Sequence, residues 1–342
     1  MRTRLAVLMA VLLSCGMAAW ATPALSHPAG YRLIRKIHLG GSGWWDYMKV
    51  DGPRRHLFIA RATRVLVLNV DTGKLVATIP HTLGVHGIAL APELNRGFIS
   101  DGGANQVTVF NLRTLKTIAT VKVTGQGPDC ILYDPLTQRV FTFNGHSHTA
   151  TAIDARTLHV LGTIQLGGDP EFATSDGKGH VYNNLESTSQ VNVINPRTLK
   201  IVKKYPLGPR CQHPSGQALD AAHERLFIGC HSGVMAIMNA RNGHIIKTVP
   251  IGPGVDANRY DPGTHLAFSS NGGNGTLTVV REVTPNHFVL LGNVKTEKGA
   301  RTMAIDPKTH HIFLVTAKFG PRPKHSYPRM IPGSFVVLEL GR

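Results

Sequence analysis

One phrase recurs along this chain and limits what it can fold into: an apolar residue, Asp-Pro, a few turn residues and then an apolar run. It reads Tyr133-Asp134-Pro135 leading to Val140-Phe141, Tyr260-Asp261-Pro262 leading to Leu266-Ala267-Phe268, and Ile305-Asp306-Pro307 leading to Ile312-Phe313-Leu314. Looser copies stand at Val50-Asp51, Leu90-Ala91-Pro92, Ser175-Asp176 and Leu219-Asp220. The spacings from Asp51 to Asp306 are about 40, 43, 42, 44, 41 and 45 residues, so seven copies fill the chain from about residue 45 to its end. Self-similarity at this period marks a fold of equivalent stacked units rather than one continuous core.

A second phrase follows each copy, as in Val65-Leu66-Val67-Leu68-Asn69-Val70-Asp71-Thr72-Gly73, with counterparts at Val107 to Lys116 and Val191 to Lys200. Apolar residues alternate with small or polar ones, the period of a half-buried strand, and the Asn, Asp and Gly residues supply turns. A further strand comes next, as in Val76-Ala77-Thr78-Ile79 or Ile118-Ala119-Thr120-Val121. Each repeat thus holds four strands and no helical period. The 36 Gly and 21 Pro residues suit many tight turns. The expectation is an all-β, seven-bladed β-propeller with four-stranded blades, a single domain over residues 27–342. The last repeat ends with the strand Ser334 to Leu340 and lacks its outer strand. Tyr31 to Leu39 supplies one, so the N-terminal strand is predicted to pair with the last blade and close the ring. A six-bladed ring would leave one whole repeat unpaired.

The repeat type resembles the YVTN-repeat, YncE-like propellers of bacterial envelopes. The stretches Gly84-Val85-His86-Gly87-Ile88-Ala89, Gly168-Asp169-Pro170-Glu171-Phe172-Ala173 and Gly299-Ala300-Arg301-Thr302-Met303-Ala304 look like signatures of one subgroup. The resemblance implies the fold. It does not imply an activity, because propellers host many unrelated chemistries.

Residues 1–26 stand apart. Arg2 and Arg4, an apolar run from Leu5 to Trp20 and a small-residue stretch have the layout of a secretory signal peptide, cleaved after Ala21 or Ser26. Leu12-Leu13-Ser14-Cys15 loosely resembles a lipoprotein box and would instead tether the protein through Cys15. The apolar run is shorter than the ~20 residues that span a bilayer, and no later segment is apolar enough to do so. A periplasmic or secreted monomer is expected. The formal charge of +17 allows attraction to polyanions, including single-stranded DNA, or serves solubility in an anionic milieu.

Propeller geometry places the start of each innermost strand at one mouth of an axial channel. Those starts fall near Asp46, His86, Asp129, Glu171, Ser215, Asp256 and Arg301. An acidic ring in a basic protein points to a site. Asp129, Glu171, Asp256 and His86 could ligate a divalent metal ion, or the ring could hold a cationic small molecule or dock a protein partner. Alternatively these groups hydrogen-bond neighbouring backbone and Arg301 to pin the blades together. Trp44 and Trp45 could wall this mouth or pack in the core.

Three further features come to the same rim. Cys211 and Cys230 either form a disulfide or, with His213 and His231, offer a thiolate and imidazole metal site. Cys130 is expected to pack in the core. The His146-Ser147-His148 loop carries a His-x-His pair. The loop from Ala317 to Ser334 is far longer than its equivalents, proline-stiffened and cationic, suited to a lid or to presenting Phe319 and Tyr327 to a partner.

The functional expectation is an exported binding scaffold whose acidic channel mouth takes a small ligand, a metal or a protein partner. A propeller resembling gluconolactonases or streptogramin lyases would instead use a channel metal for hydrolysis or elimination, with His86 or a carboxylate as base. No Gly-Lys-Ser/Thr phosphate loop, Gly-x-Ser-x-Gly elbow, His-Glu-x-x-His or Cys-x-x-Cys-His is present, which removes most familiar enzyme classes.

Overall fold

The alternating strands of the seven repeats need both faces covered, and a ring of radial sheets achieves this. The computed structural model describes residues 28–321 and 328–342. The proposed signal peptide, with Cys15, Ala21 and Ser26, lies outside the described residues, as does the loop tip from Arg322 to Tyr327. Numbered in chain order, strands β1 to β28 form seven antiparallel four-stranded sheets. Six are consecutive meanders, the first running β2 (Trp45–Asp51), β3 (His56–Arg61), β4 (Arg64–Asn69) and β5 (Leu75–Ile79).

The seventh sheet joins the two ends of the chain. Its order is β1 (Arg32–His38), β28 (Val336–Gly341), β27 (Ile312–Thr316) and β26 (Met303–Ile305). Arg32 pairs with Gly341 and His38 with Val336, so the first strand occupies the outer edge of the last blade. Tyr31 fixes this closure: it is fully buried, stands edge-on to Phe268 at 5.3 Å and donates a hydrogen bond to the His310 carbonyl at 2.8 Å. Arg35 on β1 adds an ion pair at 2.6 Å to Glu339, whose other oxygen meets His311 at 2.8 Å.

The core is divided. Each of seven apolar clusters draws its residues from two neighbouring sheets, for example Phe58, Val67 and Ile79 with Ile88, Ile99 and Phe110 between the first and second blades. A middle strand is therefore buried on both faces, as β4 is through Val65 to Leu68, whereas the outermost β5 is mostly exposed. Polar ties cross the same interfaces. Arg55 in the first blade grips Asp306 in the last at 2.7 and 2.6 Å, and His310 in the last blade meets Asp261 in the sixth at 2.9 Å. The Asp of the repeated phrase also holds its own turn, as Asp134 does by accepting from Thr137 at 2.5 Å. The repeat signal thus marks residues that lock turns and blades. Among the described residues no helix is long and apolar enough to cross a membrane.

Candidate functional site

The innermost strands are β2, β6 (Val85–Ala91), β10 (Pro128–Asp134), β14 (Pro170–Ser175), β18 (Pro214–Asp220), β22 (Val255–Asp261) and β26. In the first six, the second residue is Asp46, His86, Asp129, Glu171, Ser215 or Asp256, and Arg301 stands two residues before β26. In each of those six strands the pairing register slips between the first residue and the third or fourth. Such a bulge frees a residue from the regular ladder and re-aims its side chain. Glycine prepares the approach in several blades. Gly84, two residues before His86, has φ +59, and a Cβ there would lie 2.7 Å from the Gly103 amide nitrogen; Gly254, before Asp256, has φ +69 and the same clearance from Gly273. Only glycine accepts both the left-handed turn and the contact.

A cavity of about 350 Å³ is lined by Asp46, Tyr47, His86, Asp129, Glu171, His231, Asp256 and Arg301, with Gly254 and Val255. Two polar groupings line it. In one, His86 Nδ1 lies 2.6 Å from Asp46 Oδ2 and 3.6 Å from Asp129 Oδ1. In the other, Arg301 Nε donates to Asp256 Oδ2 at 2.5 Å, and Arg301 Nη2 reaches the Trp45 carbonyl at 3.3 Å. Ser215 does not line the cavity; its hydroxyl donates to Asp256 Oδ1 at 3.4 Å and is buried. The blade-pinning role weighed from sequence thus describes Ser215, the Asp256–Arg301 pair and the Asp46–His86 pair, but not Asp129 or Glu171.

Charge is not balanced in this cavity. Burial, reinforced by the Asp46 charge, pushes Asp129 up to about 7. Burial and then the Asp129 and Asp256 charges push Glu171 well above the usual carboxylate range. Asp46 is also raised, by burial, although its bond to His86 opposes the shift. Burial disfavours the His86 cation, yet the Asp46 hydrogen bond and the Asp129 charge outweigh it and lift the imidazole to about 9. Asp129 Oδ1 is buried and accepts no hydrogen bond. The arrangement is short of positive charge.

A divalent ion fits the Asp46, His86 and Asp129 grouping: one ligand atom from each lies within 4.8 Å of the others. Two carboxylates and an imidazole form a hard, mixed oxygen and nitrogen donor set, suited to Mn²⁺ or Zn²⁺ as well as Ca²⁺. Glu171 lines the same cavity, while Asp256 is committed to Arg301.

At the neighbouring rim, Cys211 and Cys230 are joined as a disulfide with Cα atoms 5.3 Å apart. Their sulfurs are therefore not free for a metal, and among the described residues no three-ligand grouping forms around His213 and His231. His231 turns to the cavity, 3.8 Å from Glu186, while His213 takes a left-handed turn position with φ +53. His148 pairs with Asp169, and Cys130 is buried and free. Trp45 packs in the core against Phe335, whereas Trp44 is half exposed and stacks on Phe319 at 5.7 Å. The base of the long loop is built: Phe319 pairs with Met330 in an antiparallel bridge beside both tryptophans.

Sequence reasoning missed a second grouping. Asp220, His223 and Glu282 also bring ligand atoms within 4.8 Å of one another, between the fifth and sixth blades. His223 Nδ1 is 2.6 Å from Asp220 and 3.3 Å from the nearly buried Glu282. Asp220 carried the repeat phrase, but Glu282 comes from the next repeat, so no local motif joins them.

No family model matches the chain. Antigen Lp49 of Leptospira interrogans serogroup Icterohaemorrhagiae serovar copenhageni (strain Fiocruz L1-130) is 35% identical over 124 residues, which is 34% of this chain. The chain spans 27% of the length of that relative. Among solved structures, Kuenenia stuttgartiensis hydrazine synthase superposes with a TM-score of 0.68 at 13% identity, over 82% of this chain and 94% of that one. U3-55K superposes with a TM-score of 0.72 at 10% identity, over 91% and 98% of the two chains. At these identities the likeness concerns the propeller fold alone.

Proposed function

We propose that this protein is an exported binding propeller whose acidic channel mouth holds a divalent metal ion on Asp46, His86 and Asp129, with Glu171 beside it. The observation that carries the reading is a cavity lined by four carboxylates and a single arginine within a chain of net charge +17. Asp256 and Arg301 satisfy each other, which leaves Asp46, Asp129 and Glu171 against one protonated imidazole. A bound ion would neutralise this excess and give the unpaired Asp129 oxygen a partner.

The protein's own residues have distinct tasks in this reading. His86 would hold the grouping together as a cation when no ion is bound and would yield its proton to become a ligand. Asp46 orients its ring. Arg301, pinned by Asp256 and the Trp45 carbonyl, offers a fixed positive edge to a small ligand that reaches the ion. When bound, the ion supplies a Lewis-acidic centre at which such a ligand can attach. Export is supported by the signal-like residues 1–26 and by the Cys211–Cys230 pairing, which suits an oxidising compartment. Membership of the YVTN-repeat, YncE-like propellers is supported by the sequence motifs and by the blade number.

Elemental analysis of protein purified without chelator, followed by titration with Ca²⁺, Mn²⁺ and Zn²⁺, tests the reading. About one ion per chain is expected, and Asp129→Asn should lose it. Protein that takes up none of the three ions would end the proposal.

A further inference from the structure

Along the same innermost strands, past Tyr47, the lining changes sign. A second cavity of about 360 Å³ is walled by residues including Lys49, Phe172, Thr174, Gln217 and Arg259, and Tyr47 borders both cavities. Two residues before the position of the repeated Asp, the seven blades carry Lys49, Ala89, Leu132, Thr174, Ala218, Arg259 and Ala304. Five of these are uncharged, so the two cations are departures from the repeat.

Neither cation forms an ion pair with a carboxylate among the described residues. The Lys49 side chain has no hydrogen-bond or ion-pair partner among the described residues. Arg259 donates one Nη1 hydrogen bond to the neighbouring Asn258 carbonyl at 2.8 Å, and its guanidinium lies 4.7 Å from the centre of the Phe172 ring. These contacts fix the plane of the guanidinium and leave its remaining donors free. Burial and the Arg259 charge push Lys49 down to about 8, and burial pushes Arg259 down to about 10. Lys49 is exposed at the cavity and Arg259 half-buried; two like charges side by side repel each other, a cost that a shared counter-ion reduces.

We infer that this second cavity binds a small oxyanion, a carboxylate or a phosphate group, held between Lys49 and Arg259. A planar guanidinium fork and an ammonium point charge are the pair that recognises such groups. The opposite wall is polar and already ordered: Thr174 donates to Gln217 at 2.6 Å, and Gln217 donates to Asn184 at 2.7 Å. The volume falls in the range of small-molecule sites, with room for an organic acid of several carbons or a compact phosphate ester. Lys49 and Arg259 themselves are not part of the acidic cavity's lining, so the oxyanion site does not rest on a metal there.

Isothermal titration of the full chain at low ionic strength, with inorganic phosphate and with succinate, tests the inference. Saturable binding at one site per chain is expected. Lys49→Met and Arg259→Met should each weaken it at least about ten-fold. Lys49→Arg should largely restore it, and Lys116→Ala, on the exposed surface, should leave it unchanged. Circular dichroism and melting confirm that each variant is folded, and Lys49→Arg keeps the test open if Arg259→Met is not. Binding of phosphate alone identifies a phosphorylated ligand, and binding of succinate alone an organic acid. No saturable binding of either probe, or binding unchanged in both methionine variants, overturns the inference.

Discussion

Replacing Asp129 by Asn should stabilise the metal-free protein and destabilise the metal-bound one. Burial and the Asp46 charge raise this carboxyl from 3.8 to about 7. An acid whose folded pKa lies above its unfolded value costs stability once ionised. The cost is absent below pH 3.8, grows up to pH 7 and is full above it. That displacement corresponds to at most about 4 kcal/mol. The side chain is 32% exposed and sits beside protonated His86, and screening brings the cost to roughly 2 kcal/mol. Asparagine keeps the shape and removes the charge. In EDTA at pH 8.5, Asp129→Asn should therefore melt about 4 °C above the parent protein, and the gain should shrink as the pH is lowered towards 3.8. With a saturating divalent ion the order should reverse, because an amide replaces a carboxylate ligand poorly. Differential scanning calorimetry under the two conditions gives both signs. A variant that melts below the parent at pH 8.5 in EDTA would show that the Asp129 charge is satisfied within the fold, and the argument for a cation would fail.

Three other outcomes follow from the same structure. Because His86 is lifted to about 9, metal affinity should rise up to about ten-fold per pH unit from pH 7 towards 9 and then level, with proton release on binding; a flat profile removes His86 from the ligand set. Asp306 is buried, but the Arg55 and Thr309 hydrogen bonds hold it down at about 2. The tie between the last and first blades should then contribute about 2 kcal/mol above pH 3.8, lost as pH falls towards 2, and Asp306→Asn should lose a similar amount at pH 7 in urea unfolding. Reducing the Cys211–Cys230 bridge, whose sequence separation is 19, should cost about 3 kcal/mol; an unchanged urea midpoint with added reductant would show the bridge to be energetically idle.

The blade-to-blade ties explain why the repeat is so legible. Asp134, Asp261 and Asp306 recur because each holds a turn and also a neighbouring blade, so one chemical need repeats at one spacing. Strand alternation is equally plain, since each sheet presents one face to each neighbour. The outer strand from Arg32 to His38 could be read as the missing part of the last blade because a three-stranded unit leaves an edge open.

The site was legible only in part, and the reason is geometric. Counting along equivalent strands brings Asp46, His86, Asp129, Glu171, Asp256 and Arg301 to one rim, and the structure lines one cavity with them. Counting does not tell which of them satisfy one another. Asp256 is taken by Arg301 and Ser215 turns aside to it, while Asp46 and Asp129 share His86. Those pairings depend on bulges and on ångström distances between blades about 40 residues or more apart. Lys49 and Arg259 were open to the same counting, three residues further along their strands, but a lone lysine in a strand carries no signal until the fold sets it at a cavity beside a second cation. The grouping of Asp220, His223 and Glu282 has no signal at all within one repeat.

The amino-acid sequence alone determined the number of blades, the four strands in each and the way the ring shuts, because these follow from periodicity, alternation and the need to cover strand edges. Only the tertiary structure decided which charges along the axis are paired and which are left over, because pairing depends on distances and burial between residues that meet nowhere except at the centre of the ring.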